Sequence, residues 1–541
     1  MPASGKPGSH ESKTADNGTN IGADTGADLN ANPGANPKTR VLMVVFDALR
    51  PDMVSEQLMP NLARFANNGV RYTRSRCVFP SETRVNQSSL ITGCYPGRHG
   101  IVANQFVEPT ASPEQLFNTG NEDILREGDK RLNGKLLLVP SLGERLAAQQ
   151  LQLATISSGT PGGGRILNHR AEQTGGFRLA MHRPDATTPP EAMPAIEQRI
   201  GAIPKADIPS LSWLRWATDA WMQYVESDVR WDVGIVWFCE PDSSYHYCGI
   251  GSPENLGAIA AADAEFGRLL DFYASAIEAG ELQVITLSDH GQLGVTGEPV
   301  DIATCLQAAG LSTGPVPGPN VDVAISVDSA GGIFCRDHDP ELIARVVDCL
   351  AAQPWCGVVA TADPKANPMG ISLRDLRLDG SRAPDVAVVL SAGDEPGPHD
   401  WPGTSRHDAH YPIGGGIHGG LHPIELHNWM AMGGKRFRGN VLIDAPAGIV
   451  DVLPTVMALV GGGDDGLTDD GIDGRVLSEA LSENAVDPVG VTQLIAARKK
   501  STLRIGFERP QLAVTHFDTA YYLDGMVGRD DDDNDNDNGD G

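Results

Sequence analysis

Four continuous apolar runs, each about the length of a buried strand, recur through the first half of the chain. They occupy residues 41–46, 151–157, 233–238 and 282–287. A strand shows such a run, instead of alternating apolar and polar residues, when both faces of its sheet are covered, as in parallel sheets. We therefore predict an α/β fold, with a mainly parallel central sheet and helices on both faces.

Helix signals separate these runs. One predicted helix ends at Gly69, where a glycine suits the C-cap position. Ser141 and Glu144 have the spacing of a capping box at the start of a second helix. Two longer helices are predicted over 211–226 and 254–279. Strands thus alternate with helices, which supports the parallel arrangement.

The charge balance excludes several classes of partner. The 541 residues include 70 acidic and 42 basic residues, giving a formal net charge of −28. A surface of this sign repels nucleic-acid backbones and anionic membranes, so we expect neither as a partner. No stretch approaches the roughly 18 apolar residues of a membrane helix, and no signal-peptide pattern is present, so we expect a cytoplasmic protein. The oligomeric state is left open.

Composition and motif order divide the chain into four parts. Residues 1–38 are rich in Gly, Asn, Asp, Ala and Pro without periodicity, and predict a disordered polar tail. One catalytic domain is expected over 39–482, followed by a C-terminal extension over 483–528. The Asp- and Asn-rich residues 529–541 predict an acidic disordered tail. The eight cysteines have no CxxC spacing, and we expect reduced core thiols in preference to a disulfide framework.

Acidic and imidazole side chains follow three of the predicted strands and one glycine-rich loop. In chain order they are Asp47, Asp242, His246, Asp289, His290 and His418. The carboxyl ends of parallel strands meet at one edge of a sheet, where ligands bind. Carboxylates and imidazoles are the donor set of zinc and similar ions, and six donors suit two ions better than one. Taken singly, an Asp after a strand is commonly a helix N-cap, and a lone His is more often a structural histidine than a ligand.

A nucleophile is expected in the segment 78–100, which begins with a proline-containing turn and continues as a helix. The backbone N–H groups at the start of a helix favour an anion there. Thr83 and Ser81 both offer a hydroxyl in this turn, and their spacing does not decide between them. A second glycine-rich stretch, 159–165, follows a predicted strand but lacks the Lys-Ser/Thr ending of a P-loop. It is a candidate for lining the site.

These motifs resemble the alkaline phosphatase superfamily, and within it the type I phosphodiesterase and nucleotide pyrophosphatase family. The opening strand with Asp47, the nucleophile segment 79–86 and the motif around Asp242 carry the resemblance. The Ser-Asp-His-Gly of 288–291 and the Gly-Ile-His-Gly of 416–419 follow in the order of the family. The resemblance covers about residues 40–480, and it implies an alkaline phosphatase-like fold.

The resemblance also implies a set of site residues. Thr83 is the expected nucleophile, and Asn86 the expected polar group beside the transferring phosphoryl oxygens. Two divalent ions, zinc by resemblance, are expected. The ligands of one ion would be Asp47, Asp289, His290 and Thr83, and those of the other would be Asp242, His246 and His418. The implied activity is hydrolysis of phosphodiester or nucleotide pyrophosphate bonds through a phosphothreonyl intermediate, with a small phosphate ester or nucleotide as the substrate.

The chain departs from the family pattern directly after the nucleophile. Arg84 and Val85 replace the usual Phe-Pro. A guanidinium there would suit a more highly charged substrate such as a monoester, while the alternative is a side chain that points to solvent. A phosphomonoesterase or phosphonate hydrolase of the same superfamily is therefore the nearest alternative function. A sulfatase, and a non-catalytic relative that only binds metal, are less favoured.

Overall fold

The computed structural model describes residues 39–461, 471–482, 501–505, 511–517 and 520–527. The predicted tails, 1–38 and 529–541, and most of the predicted extension lie outside the described residues. The strands are β1 Arg40–Phe46, β2 Val70–Tyr72, β3 Ser75–Arg76, β4 Gln105–Phe106, β5 Phe117–Asn118, β6 Leu153–Ser157, β7 Phe177–Ala180, β8 Val233–Phe238, β9 Leu282–Leu287, β10 Leu293–Val295, β11 Val323–Val327, β12 Ala330–Cys335, β13 Cys356–Thr361, β14 Ile371–Ser372, β15 Val386–Leu390, β16 Ala392–Gly393, β17 Thr404–Ser405, β18 Gly416–Ile417, β19 Met430–Gly433, β20 Val441–Ile443, β21 Ala447–Gly448, β22 Ser501–Ile505, β23 Gln511–Phe517 and β24 Ala520–Val527.

Helices pack on both faces of the main sheet. The α-helices are α1 Pro60–Asn68, α2 Thr83–Thr92, α3 Pro96–His99, α4 Glu122–Arg131, α5 Leu142–Ala148, α6 Pro161–Leu167, α7 Ala171–Thr174, α8 Ala192–Ile200, α9 Leu211–Ala220, α10 Glu226–Asp228, α11 Asp242–Cys248, α12 Pro253–Ala279, α13 Ile302–Ala308, α14 Pro340–Ala351, α15 Pro423–Leu426 and α16 Val452–Gly461. Within the described residues, no helix is long and apolar enough to cross a membrane.

The central sheet has eight strands in the order β20-β2-β19-β9-β1-β8-β6-β7. The four strands predicted from apolar runs are neighbours in it, as β9-β1-β8-β6, and all of them run parallel. The predicted α/β fold is therefore confirmed. Sequence reasoning did not identify β19, which is antiparallel to β9, or the edge strand β7.

Strand β1 shows why its sequence is continuously apolar. Val41, Met43 and Val45 pack into the core on one face of the sheet. Leu42, Val44 and Phe46 pack into a second core on the other face. Because every side chain of the strand faces one core or the other, polar residues do not alternate with apolar ones along it.

The predicted helix signals have the expected geometry. Gly69 follows α1, and the Ser141–Glu144 capping box begins α5. The predicted helix 211–226 is α9 continued by a π-helical turn, Trp221–Val225, and by α10. The prediction over 254–279 corresponds to α12.

Smaller sheets complete the fold. A five-stranded sheet, β11-β12-β15-β13-β14, packs against α13 and α14 around a core of its own. The three-stranded sheet β22-β23-β24 contacts the main body, where the Tyr522 hydroxyl donates to Asp451 and Arg76 pairs with Asp524. None of the eight cysteines is disulfide bonded; the Sγ atoms of Cys305 and Cys349 lie 3.4 Å apart.

Candidate active site

The register of the central strands brings the acidic side chains to one edge of the sheet. Phe46 of β1 is level with Phe238 of β8, and Val45 is level with Leu287 of β9. The segments that follow these three strands therefore begin side by side, at the same edge of the sheet. They are Asp47 after β1, the start of α11 with Asp242 and His246 after β8, Asp289 and His290 after β9, and His418, which β18 carries to the same place.

The six predicted ligands form one cluster. The Nε2 atom of His246 lies 3.2 Å from Oδ1 of Asp242, and that of His418 lies 3.6 Å from the same oxygen. The Nε2 atom of His290 is 3.3 Å from Oδ2 of Asp289 and 3.8 Å from Oδ1 of Asp47. The rings of His290 and His418 stack with centroids 3.9 Å apart, which joins the two halves of the cluster.

The three imidazoles present the same nitrogen to the cluster. Nδ1 of His246, His290 and His418 lies 2.7, 3.0 and 2.8 Å from the backbone carbonyl oxygens of Gly416, Gly291 and Ser81, respectively. A carbonyl only accepts, so each Nδ1 carries the proton and donates it. The lone pair is left on Nε2, which is the arrangement of a metal-ligating histidine.

Three carboxylate oxygens in the cluster are buried without any hydrogen-bond partner among the described residues. They are Oδ1 of Asp47, Oδ1 of Asp242 and Oδ2 of Asp289. A buried carboxylate oxygen without a partner is costly, and a divalent cation removes that cost. Two triads of ligand atoms lie within 4.8 Å of one another: Asp47, Asp289 and His290, and Asp242, His290 and His418. The donors fit divalent metal ions.

The pKa shifts of the clustered side chains also favour bound cations. Burial, and next the charges of Asp289 and Asp242, raises the pKa of Asp47 well above its usual value. Burial also raises the pKa of Asp289. Burial opposes ionisation of Asp242 as well, but the imidazoles, led by His246, hold its pKa below the usual range. Burial lowers the pKa of His418 well below its usual value. At His246 burial opposes protonation, but the charge of Asp242 raises the pKa of the ring. The two carboxyls with raised pKa values, those of Asp47 and Asp289, are the ones that a bound cation would stabilise most.

The hydroxyl of Thr83 lies inside this cluster. Thr83 is the first residue of α2, and its Oγ1 is 3.2 Å from Nε2 of His290. The hydroxyl of Ser81, the other candidate, is fully buried, donates to the carbonyl of Gly420 and accepts from the N–H of Gly419. Ser81 is therefore engaged with the backbone, whereas Thr83 faces the metal-binding side chains.

A cavity of about 320 Å³ opens above the cluster. It is lined by Glu82, Thr83, Arg84, Asn104, Gln105, Thr160, Asp242, Ser243, His246, Tyr247, Asp328, Tyr411, Ile417 and His418. Thr160 belongs to the glycine-rich stretch that was a candidate for lining the site. Glu82 is buried directly before Thr83 in the chain, and burial raises its pKa to about 7.

The family model for type I phosphodiesterase / nucleotide pyrophosphatase matches residues 41–412. The chain belongs to this family. The predicted membership is thus confirmed, and the match covers five of the six clustered ligands, since His418 lies just beyond it.

Curated relatives of the family match over shorter stretches. The bis(5'-adenosyl)-triphosphatase enpp4 of Xenopus laevis is 37% identical over 79 residues, which is 15% of this chain and 17% of that protein. Family member 7 of the mouse ectonucleotide pyrophosphatase/phosphodiesterases is 24% identical over 269 residues, or 49% of this chain and 52% of that protein. The chain thus matches about half of that relative's length, and about a sixth of the enpp4 protein's length.

Solved structures share the fold over a longer range. Murine ectonucleotide pyrophosphatase/phosphodiesterase 5, as an inactive variant in complex with AMP, superposes with a TM-score of 0.55 at 18% identity. The match covers 78% of this chain and 95% of that one. The human protein 5 gives a TM-score of 0.54 at the same identity. At this identity the likeness establishes the fold.

One predicted site residue of the family motif lies elsewhere than expected. Asn86 was predicted beside the phosphoryl oxygens, but its amide is fully buried in the turn that precedes α2. Its Oδ1 accepts from the N–H of Val78, and its Nδ2 donates to the carbonyls of Pro80 and Glu82. All of its polar atoms are used by the backbone, so Asn86 holds the turn that carries Thr83.

The asparagine that lines the cavity is Asn104, which sequence reasoning missed. Its Oδ1 accepts from the N–H of Arg84, at 3.4 Å, and its own N–H donates to Glu82. Asn104 precedes the two-residue strand β4, and nothing in the local sequence pattern sets it apart. Only the folded chain, which brings it beside Thr83, reveals it.

Proposed function

We propose that this chain is a di-metal phosphohydrolase that cleaves phosphodiester or nucleotide pyrophosphate bonds through a phosphothreonyl intermediate at Thr83. The observation that carries the proposal is the position of the Thr83 hydroxyl, 3.2 Å from His290, within a cluster of six Asp and His donors. Three unpartnered carboxylate oxygens in that cluster suit cations. Family membership supports the reaction class.

The donors divide into two sets. We assign Asp47, Asp289, His290 and Thr83 to one ion, and Asp242, His246 and His418 to the other. Mixed Asp and His donors suit zinc, and two such ions would acidify the Thr83 hydroxyl and neutralise charge on the leaving oxygen. The carbonyls that accept from the three Nδ1 atoms keep the rings oriented.

The residues of the chain perform the rest of the reaction. The Thr83 oxygen attacks phosphorus, forming the Thr83 ester while the bond to the leaving oxygen breaks and that oxygen takes up a proton. Water then hydrolyses the Thr83 ester and regenerates the hydroxyl. The N–H groups at the start of the ten-residue helix α2 would favour the negative charge of the transferred phosphoryl group. We assign the Nδ2 of Asn104, a residue that lines the cavity, as a donor to a non-bridging oxygen.

Nucleotides are the proposed substrate class. The structure of murine protein 5 is described in complex with AMP, and the enpp4 relatives are named bis(5'-adenosyl)-triphosphatases. A non-catalytic metal-binding relative is disfavoured, because the nucleophile and all six donors are present together. A cytoplasmic location stays a prediction.

The test uses Thr83→Ala and Thr83→Ser, with the p-nitrophenyl ester of thymidine 5'-phosphate as substrate. Thr83→Ala should abolish turnover while metal content, measured by mass spectrometry of the purified protein, stays near two ions per chain. Thr83→Ser should retain part of the activity, because it keeps the hydroxyl. Thr110→Ala, at an exposed threonine, is the matched control. Full activity of folded Thr83→Ala would overturn the proposal.

A further inference from the structure

The residue that departs from the family pattern lies in the reaction cavity. Arg84 is the second residue of α2, directly after Thr83, and its side chain lines the same cavity as Thr83 and His418. The guanidinium lies beside Gly120: its Cζ atom is 3.9 Å from the position that a Cβ atom on Gly120 would occupy. Of the two sequence alternatives for Arg84, the structure therefore favours a position beside the substrate.

The Arg84 guanidinium has no partner among the described residues. In the part of the chain that the structure describes, no carboxylate lies within 4.0 Å of it and its side chain donates no hydrogen bond, and its Nε is buried without an acceptor. Arg84 is half-buried, and two buried arginines of the protein are paired: Arg50 contacts Asp52 at 2.6 Å, and Arg165 contacts Glu122 at 2.8 Å. A guanidinium that lacks acceptors in a cavity is positioned to receive them from a ligand.

The position of Arg84 indicates which part of a ligand supplies the acceptors. A side chain directly after the nucleophile lies close to the phosphorus under attack, and the planar guanidinium fork matches two phosphate oxygens. The lining of the cavity also includes two acidic side chains, that of Glu82, directly before Thr83, and that of Asp328. These carboxylates disfavour a second anionic group of the ligand elsewhere in the cavity. The acceptors are therefore oxygens of the transferred phosphoryl group itself.

Phosphomonoesters and phosphodiesters differ at this point. A diester offers two non-bridging oxygens with one charge, and the N-terminus of α2 and Asn104 are available for these. A monoester offers a third oxygen and a second charge, which an additional cation stabilises. In a diester the third position is an ester oxygen with an organic substituent, which is a poorer acceptor.

We propose that Arg84 gives this site a phosphomonoesterase activity, by binding the third oxygen of a dianionic phosphoryl group. The inference rests on the proposed function, in which Thr83 is the nucleophile. The Thr83 oxygen forms a bond to phosphorus, the ester oxygen leaves with a proton as an alcohol, and water then releases inorganic phosphate. The substrate class is a phosphomonoester, including the terminal phosphate of a nucleotide.

The test compares two substrates with one leaving group. Both p-nitrophenyl phosphate and methyl p-nitrophenyl phosphate release p-nitrophenolate, but only the first has a dianionic phosphoryl group. In the metal-loaded wild-type protein both are hydrolysed. Arg84→Ala should lower the monoester-to-diester ratio of kcat/KM by about 10- to 100-fold, as expected for a charge-assisted hydrogen bond. Arg84→Lys, which keeps the charge and loses the fork, should give an intermediate ratio.

Two further measurements separate the outcomes. Arg84→Ala should weaken inhibition by inorganic phosphate by a similar factor, and Arg126→Ala, on the exposed face of α4, should leave ratio and inhibition unchanged. If wild type hydrolyses the methyl ester alone, or Arg84→Ala lowers both activities equally, the inference is wrong while the proposed function stands. If wild type hydrolyses neither ester but does hydrolyse the p-nitrophenyl ester of thymidine 5'-phosphate, the inference is wrong, and if it hydrolyses none of the three, the proposed function itself fails.

Discussion

The cluster of Asp and His side chains and the rest of the cavity wall are built in different ways. Every acidic donor lies within four residues of the carboxyl end of a central strand, so the parallel register brings these side chains together. The wall beyond the donors comes from separate segments: Asn104 precedes β4, Asp328 lies in the β11–β12 turn and Tyr411 precedes β18. The comparison teaches that the sheet positions the reaction chemistry, whereas the loops determine what the cavity accepts.

The largest expected effect falls on the strand-end donors. Asp289→Ala removes a fully buried ligand between His290 and the N–H of Ala48. We expect kcat/KM to fall by more than the roughly 100-fold that loss of a group supporting a metal ligand costs, with loss of bound metal. Activity assays and metal analysis check this, and the exposed Asp348→Ala is the control. If Asp289→Ala retained metal and activity, the cluster would not be the reaction centre.

The next effect concerns the cavity wall nearest to the nucleophile. Asn104→Ala removes the amide proposed to donate to a phosphoryl oxygen. By analogy with a lost oxyanion donor, kcat should fall by about 100- to 1,000-fold while the metal content stays unchanged. Kinetics together with metal analysis distinguish this result from that of Asp289→Ala. A change in KM alone would mean that Asn104 contributes only to binding.

A stability effect is expected at the other asparagine. Asn86→Ala removes three buried hydrogen bonds to the turn before α2, which are worth about 3 kcal/mol in total. We expect a lower denaturation midpoint in urea, with activity reduced only as far as the turn moves. The midpoint of Asn104→Ala is the matched comparison. If Asn86→Ala were as stable as wild type but inactive, the original expectation of a phosphoryl contact would be restored.

The smallest effect is expected at the far wall. Asp328 is exposed at the cavity mouth, where its charge repels an anionic substrate. Asp328→Asn should lower KM for anionic esters by about threefold at low ionic strength, and the difference should shrink as salt screens the charge. Steady-state kinetics at two salt concentrations measure this. A higher KM would show that Asp328 binds the substrate directly.

The sequence is informative where local pattern and strand geometry suffice. The four central strands, α1, α5, α12 and the six donors follow from apolar runs, caps and strand ends. The strands β2, β19 and β20 have only three or four residues each, so no long apolar run marks them in the sequence. Asn104 and Asp328 reach the cavity through tertiary packing, which single-sequence reasoning cannot supply. The direction of the Arg84 side chain also depends on tertiary packing.

The central claim is that Thr83 carries the phosphoryl group during turnover. Acid quenching of the metal-loaded protein, mixed with methyl p-nitrophenyl phosphate, followed by peptide mass spectrometry, tests it directly. We predict a methylphosphoryl group on the peptide that contains Thr83, assigned to that residue by fragmentation and absent from Thr83→Ala. Modification of Ser81 instead, or rapid turnover with no modified peptide at any quench time, would contradict the account.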